Sequence, residues 1–422
     1  SVQNFERFLD MDYSSNLPIY NYANYGLGYA AFGAEQYRKA ATYFEKFLKG
    51  GETDQNVIND AVTRLADSYF VLKDYSAARE YYDRIIAQHS KGEDYAVFQR
   101  GMIQGLQGNP DAKITTLTNV LNQFPNSDYA DDASFEIAYT YFLKNDGTTA
   151  KADLLDMTQK YPHSSYIPRA LVTMGLIDYN AGNDDLAIVS FKKVIQDYPS
   201  SDEAKQALKQ IQKIYTDKGD AQTFIAYAAT TPIGNYTASQ QEDIMFTAAN
   251  SLYLRGDAAG TVQAVNAYFD KFPNKPIYDK QARFIRAESL VALGKPNDAV
   301  ADYNVILNDW TSAYTEKSLI SMAKLYIAQK RYNDAIVYLK KLETTSEYKE
   351  DYSFAINNLL LCYAQMKAPD DALKYAMLVR NYEKSSQADK FKTGLYAGLA
   401  YLQKADTASA VKEFEYTVAN TK

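Results

Sequence analysis

Two histidines and one cysteine are the residues of this sequence best suited to nucleophilic catalysis or zinc binding. His89 and His163 both fall next to segments that connect predicted helices, and the chain has no third histidine. A histidine-based triad or a zinc site needs more partners than these two residues supply. Cys362 lies in the apolar run LLLCYA, where a buried, inert thiol is favoured over a nucleophile.

Adjacent aspartates are the other residues that could carry chemistry, as acid–base pairs or calcium ligands. Each pair lies where a helix is predicted to begin, and carboxylates there complement the positive end of the helix dipole. We therefore interpret them as solvated end charges. No glycine-rich phosphate loop follows a strand. The sequence predicts no catalytic residue, no metal site and no cofactor, so we do not expect an enzyme. The pairs are Asp131 with Asp132, Asp184 with Asp185, and Asp370 with Asp371.

Composition limits the classes of partner. The chain has 422 residues, of which 46% are hydrophobic and 23% are charged, as is typical of a folded protein. Its net charge of −7 and pI near 5.2 provide no basic field that would neutralise phosphates, so nucleic acid is not an expected partner. No stretch approaches the roughly 18 apolar residues that span a bilayer. A single cysteine also rules out an intrachain disulfide.

Three prolines mark the period of an internal repeat. Pro125, Pro162 and Pro199 are each 37 residues apart, in the similar segments FPNSDYADDA, YPHSSYIPRA and YPSSDEAKQA. In each segment an aromatic residue closes one helix, and the proline, which has no N–H group, prevents the helix from continuing. The Ser and Asp residues that follow can cap the next helix. Pro168 fits within the first turn of that helix.

Small residues recur at fixed positions in both helices of each predicted pair. In the second helix a small residue stands four positions before a bulky one, as Ala40 does before Phe44. In the first helix another small residue stands twelve positions earlier, as Gly28 does. Small residues that face large ones are what interdigitated antiparallel helices require. Ten steps of 37 residues separate Ala40 from Ala410, so the sequence predicts eleven helix pairs.

These positions resemble those of the tetratricopeptide repeat, a helix-turn-helix array with small, aromatic and proline residues at fixed places. The clearest units are YGLGYAAFGAEQYRKAATYFEKFL at 25–48 and MGLIDYNAGNDDLAIVSFKKVIQDYP at 174–199. The resemblance covers essentially the whole chain. It implies an all-α fold, a right-handed superhelical solenoid of about eleven antiparallel helix pairs with a period of about 37 residues.

The long connectors resemble those of bacterial cell-envelope members of this family. Examples are the lipoprotein subunit of the outer-membrane barrel assembly machine and the periplasmic accessory protein of the Tol-Pal system. This resemblance implies a periplasmic or outer-membrane-associated location, and it leaves a cytoplasmic one open.

A cluster of Thr, Pro, Gly, Asn and Ser at 230–239 predicts a bend or boundary between two repeat arrays. The N-terminal array then spans 21–232, with about six repeats of which the sixth is irregular. The C-terminal array spans 233–422, with about five repeats.

Both ends of the sequence interrupt the repeat pattern. The run FERFL near the start is similar to FEKFL in a later second helix, so residues 1–20 are interpreted as the second helix of a truncated repeat plus a connector. No polar capping helix follows the last second helix. Because solenoids need capped ends to stay soluble, we expect the chain to be part of a longer polypeptide.

Aromatic residues on the predicted first helices are the feature that most strongly indicates a function. Tyr22, Tyr25, Tyr29 and Phe32 follow i, i+3, i+7, i+10 spacing and so share one helical face, whereas Gly28 lies on another. The family resemblance implies that such positions line a concave groove. Tyr and Phe rings suit the binding of an extended peptide or a partner's helix. The groove candidates are Tyr22, Tyr25, Tyr29, Phe32, Tyr95, Phe98, Met102, Phe135, Tyr139, Phe142 and Tyr179.

The leading hypothesis is a non-catalytic protein–protein interaction scaffold that holds a partner protein or peptide in this groove, within a bacterial cell-envelope assembly. The alternative is a receptor for a glycan or cell-wall fragment that uses the same aromatic stripe. An aromatic pair in a pocket flanked by Asp or Asn would favour the receptor over the scaffold. We expect no membrane span in this chain, and the sequence leaves the oligomeric state open.

Overall fold

The structure is a computed structural model that describes residues 7–11, 19–52, 54–274, 276–308 and 312–419. Every regular element in these residues is a helix. The predicted all-α repeat fold is therefore confirmed. Most of the predicted truncated repeat at 1–20 lies outside the described residues.

The chain divides into two compact units, Ser1–Gln210 and Ile211–Lys422. Along each unit, odd-numbered helices are the first and even-numbered helices the second members of successive hairpins. The first unit contains α1 (Ile19–Gly33), α2 (Tyr37–Lys49), α3 (Gln55–Val71), α4 (Tyr75–Ala87), α5 (Glu93–Leu106), α6 (Pro110–Gln123), α7 (Ala130–Leu143), α8 (Gly147–Lys160), α9 (Ile167–Asn180) and α10 (Asp184–Asp197).

Helix α11 (Asp202–Lys218) contains the point at which the two units divide. The second unit continues with α12 (Ala221–Ala228), α13 (Ala238–Leu254), α14 (Ala258–Lys271), α15 (Asp279–Ala292), α16 (Pro296–Leu307), α17 (Thr315–Ala328), α18 (Tyr332–Thr345), α19 (Lys349–Gln365), α20 (Pro369–Asn381), α21 (Gln387–Gln403) and α22 (Thr407–Ala419).

Each hairpin turns at a residue in the left-handed region of the backbone, placed directly before the N-cap of the second helix. Gly182 has φ +77° and precedes the N-cap Asn183, and Lys73 has φ +62° and precedes the N-cap Asp74. The Asp74 side chain accepts a hydrogen bond from the N–H of Ala77 at 3.2 Å, which satisfies an unpaired helix donor. The turn residues are Glu35, Lys73, Gly108, Asn145, Gly182, Gly219, Gly256, Gly294, Lys330, Lys367 and Ala405.

Close contact between small and bulky residues joins the two helices of a hairpin. A Cβ atom at Gly28 would lie 2.7 Å from the ring of Phe44, and one at Gly175 would lie 2.5 Å from the ring of Phe191. Both rings are fully buried. The predicted register is confirmed in the hairpins that have glycine at this position, because the glycine of the first helix meets the bulky residue sixteen positions later. The same relation links Gly101 to Leu117 and Gly398 to Phe414.

The connectors end helices as the sequence predicts, but α7 and α9 begin at the N-cap residues Tyr129 and Tyr166, which have no side-chain cap. Phe124 and Tyr161 are the C-cap residues of α6 and α8. The hydroxyl of Ser164 accepts a hydrogen bond from the N–H of Tyr166 at 3.1 Å, just before α9 begins. Pro168 lies in the first turn of α9, where its missing N–H leaves no helical bond unmade.

The two compact units divide inside α11, and the bend or boundary expected at 230–239 stays a prediction. The Thr, Pro, Gly and Asn cluster forms a turn within the second unit. There the hydroxyl of Thr231 donates to the carbonyl oxygen of Ala228 at 2.8 Å. The ring of Tyr236 then packs on Phe224, with their centroids 5.5 Å apart. These residues thus form a local chain reversal between α12 and α13.

Candidate functional site

The residues with the greatest catalytic potential lie in separate segments of the sequence. His89 and His163 are exposed, and Nδ1 of His89 lies 3.1 Å from a carboxylate oxygen of Glu93. Cys362 is fully buried in α19, as predicted, and burial raises the pKa of its thiol to about 11. In the described part of the chain, His, Cys, Asp and Glu side chains form no group of three or more that could hold a metal ion.

The aromatic side chains of α1 lie along one face and pack on α2. Tyr22 and Tyr29 are 46% and 36% exposed, whereas Tyr25 is half-buried. The rings of Tyr25 and Tyr29 make an edge-to-face pair with centroids 5.1 Å apart. Tyr29 in turn meets the buried ring of Phe44 at 5.6 Å, and Tyr25 meets that of Phe47 at 5.0 Å. The core of the hairpin therefore holds these rings in fixed orientations.

Asp60 on α3 binds the hydroxyl groups of the α1 tyrosines. The hydroxyl of Tyr25 donates to Oδ2 of Asp60 at 2.6 Å, and the hydroxyl of Tyr29 donates to the same atom. Burial, followed by the hydrogen bond to Asp60, raises the pKa of both tyrosines. The first helices of these two neighbouring hairpins are thus linked directly.

A second carboxylate, which is buried, links the next pair of first helices, α3 and α5. Asp67 on α3 accepts hydrogen bonds from the hydroxyls of Tyr82 at 2.6 Å and Tyr95 at 2.8 Å, and from Nη1 of Arg64 at 2.8 Å. Burial raises the pKa of Asp67 above its usual value. Because Tyr95 uses its hydroxyl in this network, its polar end is fixed against α3. Phe32 lies beside the network, with the Arg64 guanidinium 5.9 Å from its ring centroid.

The candidates on α5 are closer to the core than the sequence predicts. Phe98 is 8% exposed and stacks on Tyr129, with centroids 5.7 Å apart. Met102 packs against the cluster of buried side chains that contains Phe98 and Leu117. Helical spacing identifies the face of a side chain but not its depth, because the neighbouring hairpin covers part of that face. Phe98 is therefore placed to support an aromatic surface from beneath.

On α7, the buried ring of Phe135 packs beneath the more accessible ring of Tyr139, which in turn contacts Phe142. Phe135 is fully buried and stacks on Tyr139 at 5.7 Å and on Tyr166 at 4.8 Å. Tyr139 is half-buried and meets Phe142 at 5.8 Å. The guanidinium carbon of Arg169 lies 5.0 Å from the Phe135 centroid and 5.1 Å from that of Tyr139. This arrangement continues the aromatic surface from α7 to α9.

A cleft of about 720 Å³ lies at the end of this surface. Phe142 forms one side of it, and an ion pair between Lys151 and Asp178, 2.5 Å apart, lies in its lining. Tyr179, the last predicted candidate, is half-buried on α9 and is not among the lining residues. Thr148 and three asparagines complete the polar part of the lining, the asparagines being Asn145, Asn180 and Asn183.

We call the accessible part of this face the first-helix surface. Its rings are those of Tyr22, Tyr25, Tyr29, Phe32, Tyr95, Tyr139 and Phe142, and its charged groups are those of Asp60, Arg64 and Arg169. Residues on α1, α3, α5, α7 and α9 of the first unit contribute to it.

Sequence reasoning missed the tyrosines at the starts of first helices. Tyr129 and Tyr166 are the N-cap residues of α7 and α9, and each stacks on the aromatic residue of the preceding first helix. In the second unit Tyr278 stacks on Phe246 in the same way, with centroids 4.3 Å apart. A signal was present, because Tyr129 and Tyr166 are 37 residues apart, as the prolines are. The connector thus ends a helix and also joins neighbouring hairpins.

The hydrogen bond between Tyr166 and Asp132 predicts a loss of stability at high pH. The Tyr166 hydroxyl donates to Asp132 at 2.9 Å, and burial, followed by this bond, raises its pKa from 10.0 to about 12. A raised pKa in the folded state stabilises the fold fully below pH 10, and this contribution disappears as the pH rises towards 12. The urea midpoint of the wild type should therefore fall across this window. Tyr166→Phe should show a smaller fall, and an identical fall would contradict the assignment.

Comparison with known proteins adds two family matches. Residues 25–93 match the tetratricopeptide repeat family, and residues 106–218 match the family described as outer membrane lipoprotein. No curated protein matches the chain in sequence. In the described residues, no helix is both long enough and apolar enough to cross a membrane.

Several solved structures are similar to the chain at low sequence identity. A tetratricopeptide repeat protein from Parabacteroides merdae ATCC 43184 is 16% identical, with 70% of this chain and 97% of that chain covered and a TM-score of 0.31. MamA is 16% identical, with 43% and 92% covered and a TM-score of 0.36. YrrB, a TPR protein with an unusual peptide-binding site, is 14% identical, with 50% and 100% covered and a TM-score of 0.35. Its helical hairpins and these matches give the chain an all-α repeat fold that is similar to the tetratricopeptide repeat family over residues 25–93 and to the outer membrane lipoprotein family over residues 106–218.

Proposed function

We propose that the chain is a non-catalytic scaffold that binds a partner protein or peptide along the first-helix surface, as part of a bacterial cell-envelope assembly. The observation that carries this proposal is the fixed set of partly exposed rings on that surface. Tyr22 and Tyr29 are more than a third exposed, yet Tyr29 is held by Phe44 and Asp60. Rings that are already ordered lose little entropy on binding, so their contact area contributes to affinity.

The match of residues 106–218 to an outer membrane lipoprotein family supports the envelope part of the proposal. The matched segment includes α7 and α9, which carry Tyr139, Phe142 and Arg169 of the first-helix surface. A periplasmic or outer-membrane-associated location follows as part of the same proposal. The exposure of His89 and His163 next to connecting segments and the burial of Cys362 support a function without catalysis.

One feature favours the receptor alternative. The cleft beside Phe142 places an aromatic ring next to three asparagines and an ion pair, and aromatic stacking combined with side-chain amides suits a sugar. The scaffold remains the better-supported proposal, because the rings extend over several hairpins and not only around this cleft.

A double substitution of exposed and half-buried tyrosines tests the proposal. Tyr22→Ser with Tyr139→Ser should weaken partner binding on the order of tenfold or more, since buried interface tyrosines commonly contribute about 2 kcal/mol. The partner is first captured from fractionated envelopes with the wild type and identified, and its dissociation constant for each variant is then measured with purified proteins. Circular dichroism confirms that each variant is folded.

Tyr348→Ser provides a matched control, because Tyr348 is 64% exposed and lies in the second unit, before α19. It should bind the partner as the wild type does. Equal affinity of the double variant and the wild type would contradict the proposed surface. Retention of cell-wall fragments, lost on Asn145→Ala with Asn180→Ala, would instead support the receptor.

A further inference from the structure

We propose that Arg169 is an anchor for a carboxylate group of the partner, so that the first-helix surface selects an acidic residue beside an apolar or aromatic one. This inference rests on the proposed function and specifies the chemistry of the partner.

The Arg169 side chain is held above a rigid aromatic platform. Its guanidinium carbon lies 5.0 Å from the centroid of Phe135 and 5.1 Å from that of Tyr139. Phe135 is fully buried, so the platform cannot move away. A guanidinium over the face of a ring keeps its N–H donors in its own plane, where a planar carboxylate can accept two of them. Arg169 itself is exposed.

The carboxylates near Arg169 already have other partners. The charges of Asp132, Glu136 and Arg169 all act on the pKa of the Tyr166 hydroxyl, so both carboxylates lie in the same region as Arg169. Asp132 accepts the hydroxyl of Tyr166 at 2.9 Å, and Glu136 pairs with Nζ of Lys113 at 2.6 Å. Within the described residues the Arg169 side chain makes no hydrogen bond or ion pair, so its donors are open to a ligand.

Other charged groups of the surface do not compete for this role. Arg64 is bound to Asp67 at 2.8 Å, and Asp60 accepts the hydroxyls of two tyrosines. Arg169 is therefore the cation of the first-helix surface whose charge the described chain leaves unmatched. Charge complementarity then requires an anionic group on the partner. The accessible rings of Tyr139 and Phe142 beside it fit an apolar residue next to that group.

Two chemical sources could supply the carboxylate, an Asp or Glu side chain and the terminal carboxyl group of a chain. Two libraries of random peptides on beads distinguish these sources. The peptides of one library end in a free carboxyl group, and those of the other end in an amide. The chain is screened as wild type and as Arg169→Gln. Arg38→Gln is the matched control, because Arg38 is also exposed but lies on the second helix α2.

The wild type and Arg38→Gln should select peptides that carry a carboxylate next to an apolar or aromatic residue. Arg169→Gln should bind the selected peptides about tenfold or more weakly, because a hydrogen-bonded charge pair is lost. If a side chain supplies the carboxylate, replacing the peptide's Asp by Asn should weaken its binding to the wild type by a similar factor. The same replacement should not change its binding to Arg169→Gln. If the terminal carboxyl group supplies the carboxylate, amidation of the peptide's C-terminus should instead weaken binding to the wild type and leave binding to Arg169→Gln unchanged.

The inference is overturned if Arg169→Gln binds the selected peptides as tightly as the wild type does, while the Tyr22 and Tyr139 double variant loses them. In that result the proposed surface stands and its anchor does not. If the double variant also binds as the wild type does, or the wild type selects no peptide, the proposed function fails and the anchor fails with it.

Discussion

Asp302→Ala should lower the free energy of unfolding by about 3 kcal/mol, because it leaves two guanidinium groups without their shared carboxylate. Asp302 on α16 is 3% exposed. Its Oδ1 lies 3.1 Å from Nη1 of Arg283 and 2.7 Å from Nη2 of Arg286, and its Oδ2 lies 2.8 Å from Nε of Arg286. Both arginines stack on Phe269, at 4.7 and 4.9 Å, so neither can move freely into water.

Urea unfolding followed by circular dichroism measures this effect, and hydrogen exchange of α15 and α16 locates it. Glu383→Ala is the control, because the Glu383 to Lys349 pair is 67% and 62% exposed on its two side chains. That substitution should leave the urea midpoint unchanged. A midpoint for Asp302→Ala as high as that of the control would show that the network does not stabilise the second unit.

Gly175→Leu should also lower the free energy of unfolding by about 3 kcal/mol, since it overpacks a hairpin that has no free space. Even a Cβ atom at this position would lie 2.5 Å from the Phe191 ring. That ring is fully buried and cannot yield without moving α9 from α10. Gly33→Leu is the matched control, because nothing lies within 4 Å of a Cβ atom there.

A compensating substitution tests the cause. Gly175→Ala combined with Phe191→Leu reproduces the pairing of Ala138 with Leu154 in the preceding hairpin. The double variant should be more stable to urea than Gly175→Ala alone. If Gly175→Leu is as stable as the wild type, the small and bulky positions do not set the distance between the helices.

The repeat register could be predicted from the sequence because steric rules restrict it strongly. The position that faces a buried bulky side chain, as Gly175 faces Phe191, accepts a small residue, so Gly or Ala recurs there at the same interval in most hairpins. The turn residues could not be predicted as well. Glu35, Lys73, Lys330, Lys367 and Ala405 adopt left-handed backbone where glycine is the usual choice, and their residue types give no signal for it.

The sequence predicts which helical face the candidate residues share, but it does not predict how deeply each side chain is buried. Tyr22 and Tyr29 are accessible, whereas Phe98 and Phe135 lie beneath other rings. Burial in an array depends on the next hairpin, and the spacing within one helix does not contain that information. Arg169 was missed for a related reason, since its partners are on α7, about 30 residues earlier in the chain.

Site-specific photo-crosslinking in living cells tests the central claim most directly. A photoreactive amino acid replaces Tyr22 on α1 or, for comparison, Leu186 on α10, which is 53% exposed on a second helix. The proposed function predicts that the partner protein captured from fractionated envelopes is crosslinked from position 22 and not from position 186. Crosslinking of that partner from Leu186 alone would place binding on the second helices and contradict the first-helix surface.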